Sequence, residues 1–324
     1  MKDQFIPFEE LEPFGLFLRF VSNKDVRAIT GLIYEVCKAE GDTATALSEE
    51  DLQNEWDYAG FDPEKDAFVV ANDEGKLVGY AAVYDVDRHC ELSGDIYIHP
   101  NYDALTIGEA LLFAVQQRAE RHVPFAPQGE KVFLRVAIDN RNGMIKTLFS
   151  NDGYQAVRYH WRMEIELNDT LQPTDLPDGI TLRPFDWHEQ AQAVWQARNA
   201  SFTGNWGSRE LAFEEFSYYT LENPQYDPSL WQVAWVGDRV AGFCINHMRM
   251  GIGWIHILGV IPEWRGKGLG LALLQHSFAA FIQRGINVVG LGVDAANESG
   301  ATRLYESVGM HVVSEFVTFE KFMN

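Results

Sequence analysis

The sequence predicts two α+β domains in tandem, each a central mixed sheet flanked by helices, and three observations carry that expectation. The chain has 324 residues, long for one compact domain and comfortable for two of about 150. Its 46% apolar and 13% aromatic content is ample for packed cores and unlike that of a disordered chain. A series of strand and helix landmarks also occurs twice, in the same order.

The first landmark is Leu18-Arg19-Phe20, followed by a helical run with Val26, Ile29, Ile33 and Val36 on one face. It recurs as Leu182-Arg183-Pro184 before Ala193, Val194 and Ala197. Phe68-Val69-Val70 and Lys76 to Tyr80 recur as Trp231 to Trp235 and Arg239 to Phe243. Each set reads as two strands around a turn, at Asp73-Glu74-Gly75 or Gly237-Asp238. Ile96 to Pro100 pairs with Ile257 to Pro262, each a strand ended by proline. Leu134 to Asn140 pairs with Leu291 to Asn297, and Thr147 to Gly153 with Arg303 to Gly309. The offset drifts only from 164 residues (Arg19 to Arg183) to 156 (Gly153 to Gly309). Residues 168–179, with two prolines, three aspartates and a glycine, read as an exposed linker dividing a domain 1–167 from a domain 180–324.

Composition narrows the function classes. No stretch approaches the roughly 18 uncharged apolar residues of a membrane span, and Met1-Lys2-Asp3-Gln4 lacks the order of a secretory signal. Cys37, Cys90 and Cys244 stand in no metal-ligand spacing; so sparse and odd a set fits a reducing cytoplasm, and no metal is expected. The formal charge of -21 argues against nucleic acid, whose phosphates require clustered Lys and Arg. It favours the approach of cations such as amines, although acidity also serves solubility alone.

The densest motif lies in the second copy. An apolar run from Trp254 to Val260 is stopped by Pro262, and Arg265-Gly266-Lys267-Gly268-Leu269-Gly270 follows. Then comes an amphipathic helix with Leu271, Leu274, Phe278 and Phe281/Ile282 at helical spacing. Three glycines in five residues let main-chain amides turn inward at a helix N-terminus, a site for a diphosphate or another anion. A dinucleotide fingerprint fails, because counting from Gly266 or Gly268 places leucine at the third glycine position. A Walker loop fails because Lys267 is followed by glycine.

This strand-P-x-x-R-G-x-G-x-G-helix arrangement resembles the acyl-CoA signature of the GNAT acetyltransferases. Leu291 to Gly309, with Asn297, Ala301, Leu304 and Tyr305 in register, looks like the second signature of that family. The tandem layout is similar to that of mycothiol synthase and related two-domain members. The resemblance implies an α+β, mixed-sheet GNAT fold in both copies and acetyl-CoA as co-substrate. It also implies transfer of an acetyl group to a primary amine on a small molecule or peptide. Rival readings are a non-catalytic acyl-CoA sensor, and an acyltransferase using a longer chain or another nucleophile. Acceptor identity and oligomeric state leave no readable trace.

The same resemblance distributes the roles. Amides from Gly266 through Lys267, Gly268, Leu269 and Gly270 to Leu271 would hold the pyrophosphate, with Arg265 and Lys267 either adding charge or simply solvated. Backbone of Leu258, Gly259 and Val260 would pair with pantetheine and aim an N–H at the thioester carbonyl, where charge grows in the transition state. Tyr305 matches the tyrosine that protonates the departing thiolate, a role suited to a phenol of ordinary pKa about 10; otherwise it is a packing aromatic. Asn297 matches a CoA-contacting asparagine, and a helix N-cap would look the same. For the base, alternation puts Trp254, His256 and Leu258 on one strand face. Relatives often carry glutamate at the place of Trp254, so His256 is the candidate, against a structural histidine. Asp294 follows, against a turn or N-terminal helix role, and a water chain could replace either one. Phe202 to Gly207 is the expected acceptor loop.

The first copy departs from this pattern. Asp103 stands opposite Arg265, Ala104 and Thr106 opposite Gly266 and Gly268, and Phe149 opposite Tyr305. A carboxylate in place of the arginine repels a diphosphate, and the phenylalanine has no proton to give. The expectation is a degenerate domain that scaffolds the second or shapes its acceptor cleft.

Overall fold

The β-branched runs become strands and the 3.6-period runs become helices in a computed structural model that describes residues 5–168, 171–223 and 225–323. Residues 169 and 170 of the expected linker lie outside the described residues. The chain forms two compact units, one running to His160 and resuming at Ser314, the other Trp161–Val313.

The first unit is built from β1 (Phe5–Ile6), β2 (Leu16–Phe20), α1 (Val26–Ala39), α2 (Glu49–Trp56), α3 (Pro63–Asp66), β3 (Ala67–Asn72), β4 (Leu77–Asp87), β5 (Glu91–Ile98), α4 (Ala104–Glu120), β6 (Val132–Asp139), α5 (Gly143–Asn151) and the first part of β7 (Gln155–Glu166). Its sheet runs β1-β2-β3-β4-β5-β6, antiparallel except for the parallel β5–β6 pair. Strand residues alternate between two cores. Val69 and Tyr80 join Ile29, Ile33, Leu52 and Trp56 of α1 and α2. Val70 and Ala81 join Ile107, Leu111, Leu148 and Phe149 of α4 and α5.

The second unit repeats the plan with β8 (Thr181–Arg183), α6 (Trp187–Phe202), α7 (Phe213–Phe216), β9 (Gln232–Val236), β10 (Arg239–Arg249), β11 (Ile252–Val260), α8 (Leu269–Ile282), β12 (Val288–Asp294) and α9 (Ala301–Ser307). Its sheet runs β12-β11-β10-β9-β8, with β11–β12 parallel and the other pairs antiparallel. Its two cores are likewise divided, α6 with Val233, Trp235 and Phe243 on one side, and α8 and Tyr305 with Ala234 and Cys244 on the other.

Close packing matches at one equivalent position of the two copies. A Cβ on Gly79 would meet Ile107 at 2.8 Å and Leu111 at 3.0 Å, and one on Gly242 would meet Leu273 at 3.0 Å and Leu269 at 3.2 Å. At both places a strand lies against a helix with no room for a side chain.

The domain boundaries differ from the sequence reading. The chain passes from the first unit to the second inside β7, between His160 and Trp161. The last strand, β13 (His311–Met323), returns to the first unit from Ser314, where Phe316 to Met323 pair antiparallel with Asp139 to Val132 of β6. At 12 and 13 residues, these two strands are long enough to serve one sheet with their first part and the other with their second. Nor is the proline-rich stretch a free tether. Leu171 and Leu176 pack against the core of the second unit, and the Thr174 amide donates to Gln275 Oε1 at 2.9 Å. No helix among the described residues is long and apolar enough to cross a membrane.

Candidate active site

In the second unit the glycine loop leads directly into α8. Gly266 and Gly268 take φ of 71° and 83°, left-handed values that glycine adopts without strain. No protein atom lies within 4 Å of the place where either Cβ would be, so the glycines leave open space in front of the loop. The first helical hydrogen bond runs from the Ala272 amide to the Gly268 carbonyl at 3.1 Å. The amides from Gly266 to Leu271 have no acceptor among the described residues. Six successive N–H groups at a helix start form a region of positive potential shaped for an anion.

The side chains of the loop do other work. Arg265 donates from Nε to the Val260 carbonyl at 3.0 Å and from a terminal nitrogen to the Ser201 carbonyl at 2.7 Å, tying the end of β11 to α6. Lys267 lies over the Trp264 ring, 4.4 Å from its centroid. Leu269 is buried in the core, whereas Leu271 is only half-buried. The helix begins at Leu269, two residues before the first apolar position that the spacing marks.

Beside the loop, β11 and β12 part. Their parallel pairing covers only Gly253 to Ile255 against Val289 to Leu291. Leu258, Gly259 and Val260 pair on their other side with Cys244, Phe243 and Gly242 of β10. Their edge toward β12 is thus open to an extended, amide-bearing chain. A Cβ on Gly270 would lie 3.4 Å from Leu304 and 3.7 Å from Val260, which brings the start of α8, α9 and the end of β11 to one point.

Tyr305 is buried next to Leu304 in the same core as Cys244. Burial, then the neighbouring Cys244, raises its pKa above the ordinary phenol value, so the hydroxyl stays protonated at neutral pH. That hydroxyl makes no hydrogen bond among the described residues. Asn297 is not the helix N-cap; Gly300, at φ 83°, holds that position. Instead Asn297 Oδ1 accepts from the Ser299 amide at 2.9 Å, in a turn stabilised upstream by Asp294, whose Oδ1 accepts from the Ala296 amide at 3.0 Å. The turn role of Asp294 is the one the geometry displays.

His256 is the extra residue of a β-bulge. The register passes from Ile257–Ile245 to Ile255–Asn246 and leaves it without a cross-strand partner. Its ring lies 5.3 Å from that of His247, which pairs with Trp254. Trp254 itself is buried, with Arg249 over its ring at 5.2 Å. His256 is exposed as a residue, with many protein atoms gathered around its ring. Crowding first, then Arg249 and Arg198, pushes its pKa down to about 4. Burial, then His256 and Arg249, lowers His247 to about 3. Spacing along one strand could not reveal His247, Arg249 or Arg198, since only the register and the fold bring them to His256.

The expected acceptor loop follows α6, with Gly204 and Gly207 left-handed and Trp206 exposed. It is anchored downstream: Trp195 Nε1 donates to the Leu211 carbonyl at 2.8 Å, and Arg198 to the Arg209 carbonyl at 2.7 Å.

The corresponding place in the first unit is closed to anions. Asp103 caps α4 with its own carboxylate, accepting from the Leu105 amide at 3.2 Å and the Thr106 hydroxyl at 2.7 Å. Those bonds, the hydroxyl's first, hold its pKa below the usual range. Phe149 is buried against Tyr154 and Phe319, with ring centroids 4.8 and 5.4 Å away. The parting of β5 and β6 beyond Gly94 and Val136 opens a cavity of about 240 Å³, lined by Glu40, Asp95, Tyr97, His99 and Asp139 among others. Burial pushes Asp95 up to about 6, and burial, then Asp139, pushes Glu40 up to about 7. A further anion would be repelled from these carboxylates.

Residues 33–144 and 191–310 each match the Acetyltransferase (GNAT) family. A mycothiol acetyltransferase of Thermobispora bispora is 31% identical over 284 residues, which cover 84% of this chain and 88% of that protein. One from Kineococcus radiotolerans is 32% identical over 253 residues, covering 74% and 77%. Among solved structures, a GCN5-related N-acetyltransferase from Sphaerobacter thermophilus superposes with a TM-score of 0.80 at 31% identity, over 95% of both chains. A tandem GNAT protein from the clavulanic acid biosynthesis pathway shares the fold at 15% identity, with a TM-score of 0.73 over 95% of this chain and 98% of that one.

Proposed function

The chain belongs to the acetyltransferase (GNAT) family, and from that premise we propose that its second unit transfers an acetyl group from acetyl-CoA to the primary amine of a small molecule. The observation that carries this reading is the run of unpartnered amides from Gly266 to Leu271 beside the open edge of Leu258 to Val260. That cradle suits a diphosphate followed by an extended, amide-bearing arm. When bound, acetyl-CoA supplies an activated thioester carbonyl.

The protein's own groups then have separate tasks. The amides of Gly266 to Leu271 bind the diphosphate, and Arg265 holds the loop against β11 and α6. The main chain of Leu258 to Val260 aligns the arm and offers an N–H to the carbonyl oxygen as charge develops there. The Tyr305 hydroxyl, protonated and uncommitted, gives its proton to the departing sulfur and regains one from solvent before the next turnover. Asn297 flanks the cofactor from the turn before α9. His256, neutral at pH 7, accepts a hydrogen bond from the incoming amine and positions its lone pair. With a pKa pushed down to about 4, it passes the amine's surplus proton to solvent and does not store it. Asp294 supports the turn.

A small-molecule acceptor is supported by relatives named for mycothiol acetylation, and a cationic one by the net charge of -21. The first unit, with its capped helix and acidic cavity, serves as a non-catalytic partner domain. Three free cysteines fit residence in the cytoplasm. The test is thiol release from acetyl-CoA across a panel of primary amines. Turnover with at least one small amine is expected; acetyl-CoA binding without turnover on any amine would instead make the protein a sensor.

A further inference from the structure

At the other end of α4 from the disabled loop of the first unit, three side chains converge that the acyltransferase reading does not use. We propose that Asp85, His89 and His122 form a binding site for one divalent transition metal, zinc by preference. His89 Nδ1 lies 2.8 Å from His122 Nδ1 and 2.8 Å from Asp85 Oδ2, and His122 Nδ1 lies 3.9 Å from the same oxygen. A tetrahedral zinc with bonds of about 2.0–2.1 Å spaces its ligand atoms about 3.3–3.4 Å apart. The three separations bracket that value, so small side-chain rotations would seat an ion. Among the described residues this is the one group of three such side chains with mutually close ligand atoms.

The backbone is arranged to bring them together. Arg88 and His89 form the turn between β4 and β5 with φ of 43° and 62°, left-handed values that such turns normally assign to asparagine and glycine. The Cys90 amide closes the turn on the Asp87 carbonyl at 2.8 Å. Asp85 Oδ1 accepts the His89 amide at 2.8 Å, which leaves Oδ2 facing the two rings. His122 is held at the end of α4 by its amide on the Ala119 carbonyl at 3.0 Å, and is 8% exposed. Phe125 lies over the His89 side, its ring centroid 5.7 Å away.

Hydrogen bonding alone serves this cluster poorly. One proton on His89 Nδ1 must be shared between two acceptors 2.8 Å away, whereas a cation serves all three lone pairs. Two imidazoles and one carboxylate select zinc, cobalt or nickel over magnesium or calcium, and leave a fourth position for water. His122 Nε2 is buried without a partner. The outer hydrogen bond that usually orients a metal-bound imidazole is therefore missing, which predicts affinity about 10–100-fold weaker than in sites that have it. The ion would pin the β4–β5 turn to the end of α4.

The test uses tag-free, chelator-treated full-length protein titrated with Zn²⁺ and Co²⁺ by calorimetry and visible absorption. One equivalent should bind, Co²⁺ should give tetrahedral absorption bands, and Zn²⁺ should raise the thermal midpoint. Asp85→Asn and His122→Ala should abolish all three responses. Because His122 is buried, His89→Gly provides a second arm: glycine suits the left-handed turn, so the metal-free midpoint should rise while metal binding disappears. Binding by none of the metals, or binding that survives His89→Gly, would overturn the site.

Discussion

Two loops stand at the same point of the two repeats, Asn101 to Gly108 and Glu263 to Gly270, and they solve the same problem differently. Each starts a helix whose first amides need an acceptor. In the first unit Asp103 supplies it from within the chain. In the second the amides of Gly266 to Leu271 wait for an acceptor from outside. The packing beneath is shared, since Gly108 touches Leu148 and Ile98 as Gly270 touches Leu304 and Val260. The fold is thus indifferent to the choice, and three side chains separate a satisfied helix end from a receptive one.

The largest expected effect comes from making the second unit like the first at its proton donor. Tyr305→Phe copies Phe149 and should lower turnover by about 10²–10⁴-fold while acetyl-CoA binding persists. Unchanged turnover, measured by thiol release, would remove Tyr305 from the mechanism. Next, Gly266→Ala with Gly268→Thr imports the residues of the first loop. Each left-handed non-glycine residue costs about 1–2 kcal/mol, which the loop relieves by leaving its binding shape. Acetyl-CoA affinity should therefore fall by about 30-fold or more. Calorimetry on the unaltered chain should count one equivalent of acetyl-CoA; two equivalents would break the distinction between the loops.

Acidity should act in opposite directions on two sets of groups, the histidine pair of the second unit and the cavity carboxyls of the first. His247 and His256 have pKa values below the ordinary 6.5, so the unfolded chain binds more protons and these groups add stability to the second unit as pH rises from about 3 to 6.5. Glu40 and Asp95 have raised values, so the folded first unit holds more protons. Its contribution is full below about pH 4 and is lost as pH rises through about 6 to 7. His99 and His122 of the first unit are lowered, by burial first, and pull the other way, so Glu40→Gln with Asp95→Asn isolates the carboxyl contribution. Hydrogen exchange corrected for intrinsic rates should show this pair of changes protecting the first unit more at pH 7 than at pH 5. Equal gains at both pH values would refute the assignment. Smallest is a packing difference: Gly108→Ala, whose Cβ would lie 2.8 Å from Leu148, should destabilise by about 1 kcal/mol more than Gly270→Ala, whose nearest contact is 3.4 Å. Equal thermal midpoints would indicate that Leu148 moves aside freely.

Much of this contrast is legible in the sequence because it is local. Glycine count, helix start and the identity of residues 103, 149 and 305 are read from neighbours in the chain. What depends on register is not legible. The bulge at His256 and its crowding by His247, Arg249 and Arg198 follow from how β10 meets β11. Asn297 and Gly300 are equally good helix starters by type, and the left-handed turn at Gly300 decides between them. The Asp85–His89–His122 cluster escapes any spacing rule, since its third member arrives from a helix end 33 residues after His89. Nor does the pattern of a long strand say which sheet it joins halfway along, so β7 and β13 hide the true borders of the units.

The return of β13 also reorders events during synthesis. A nascent first copy emerging from the ribosome has β5 beside β6 but lacks the neighbour on the other edge until residues 314–323 are made, because that neighbour begins at Ser314. The second copy is continuous and holds all its residues once Val313 has emerged. Here the later-made half matures first, against the usual amino-to-carboxyl order. A premature stop after Val313 should therefore unravel the half farthest from it along the chain, and leave the second unit standing.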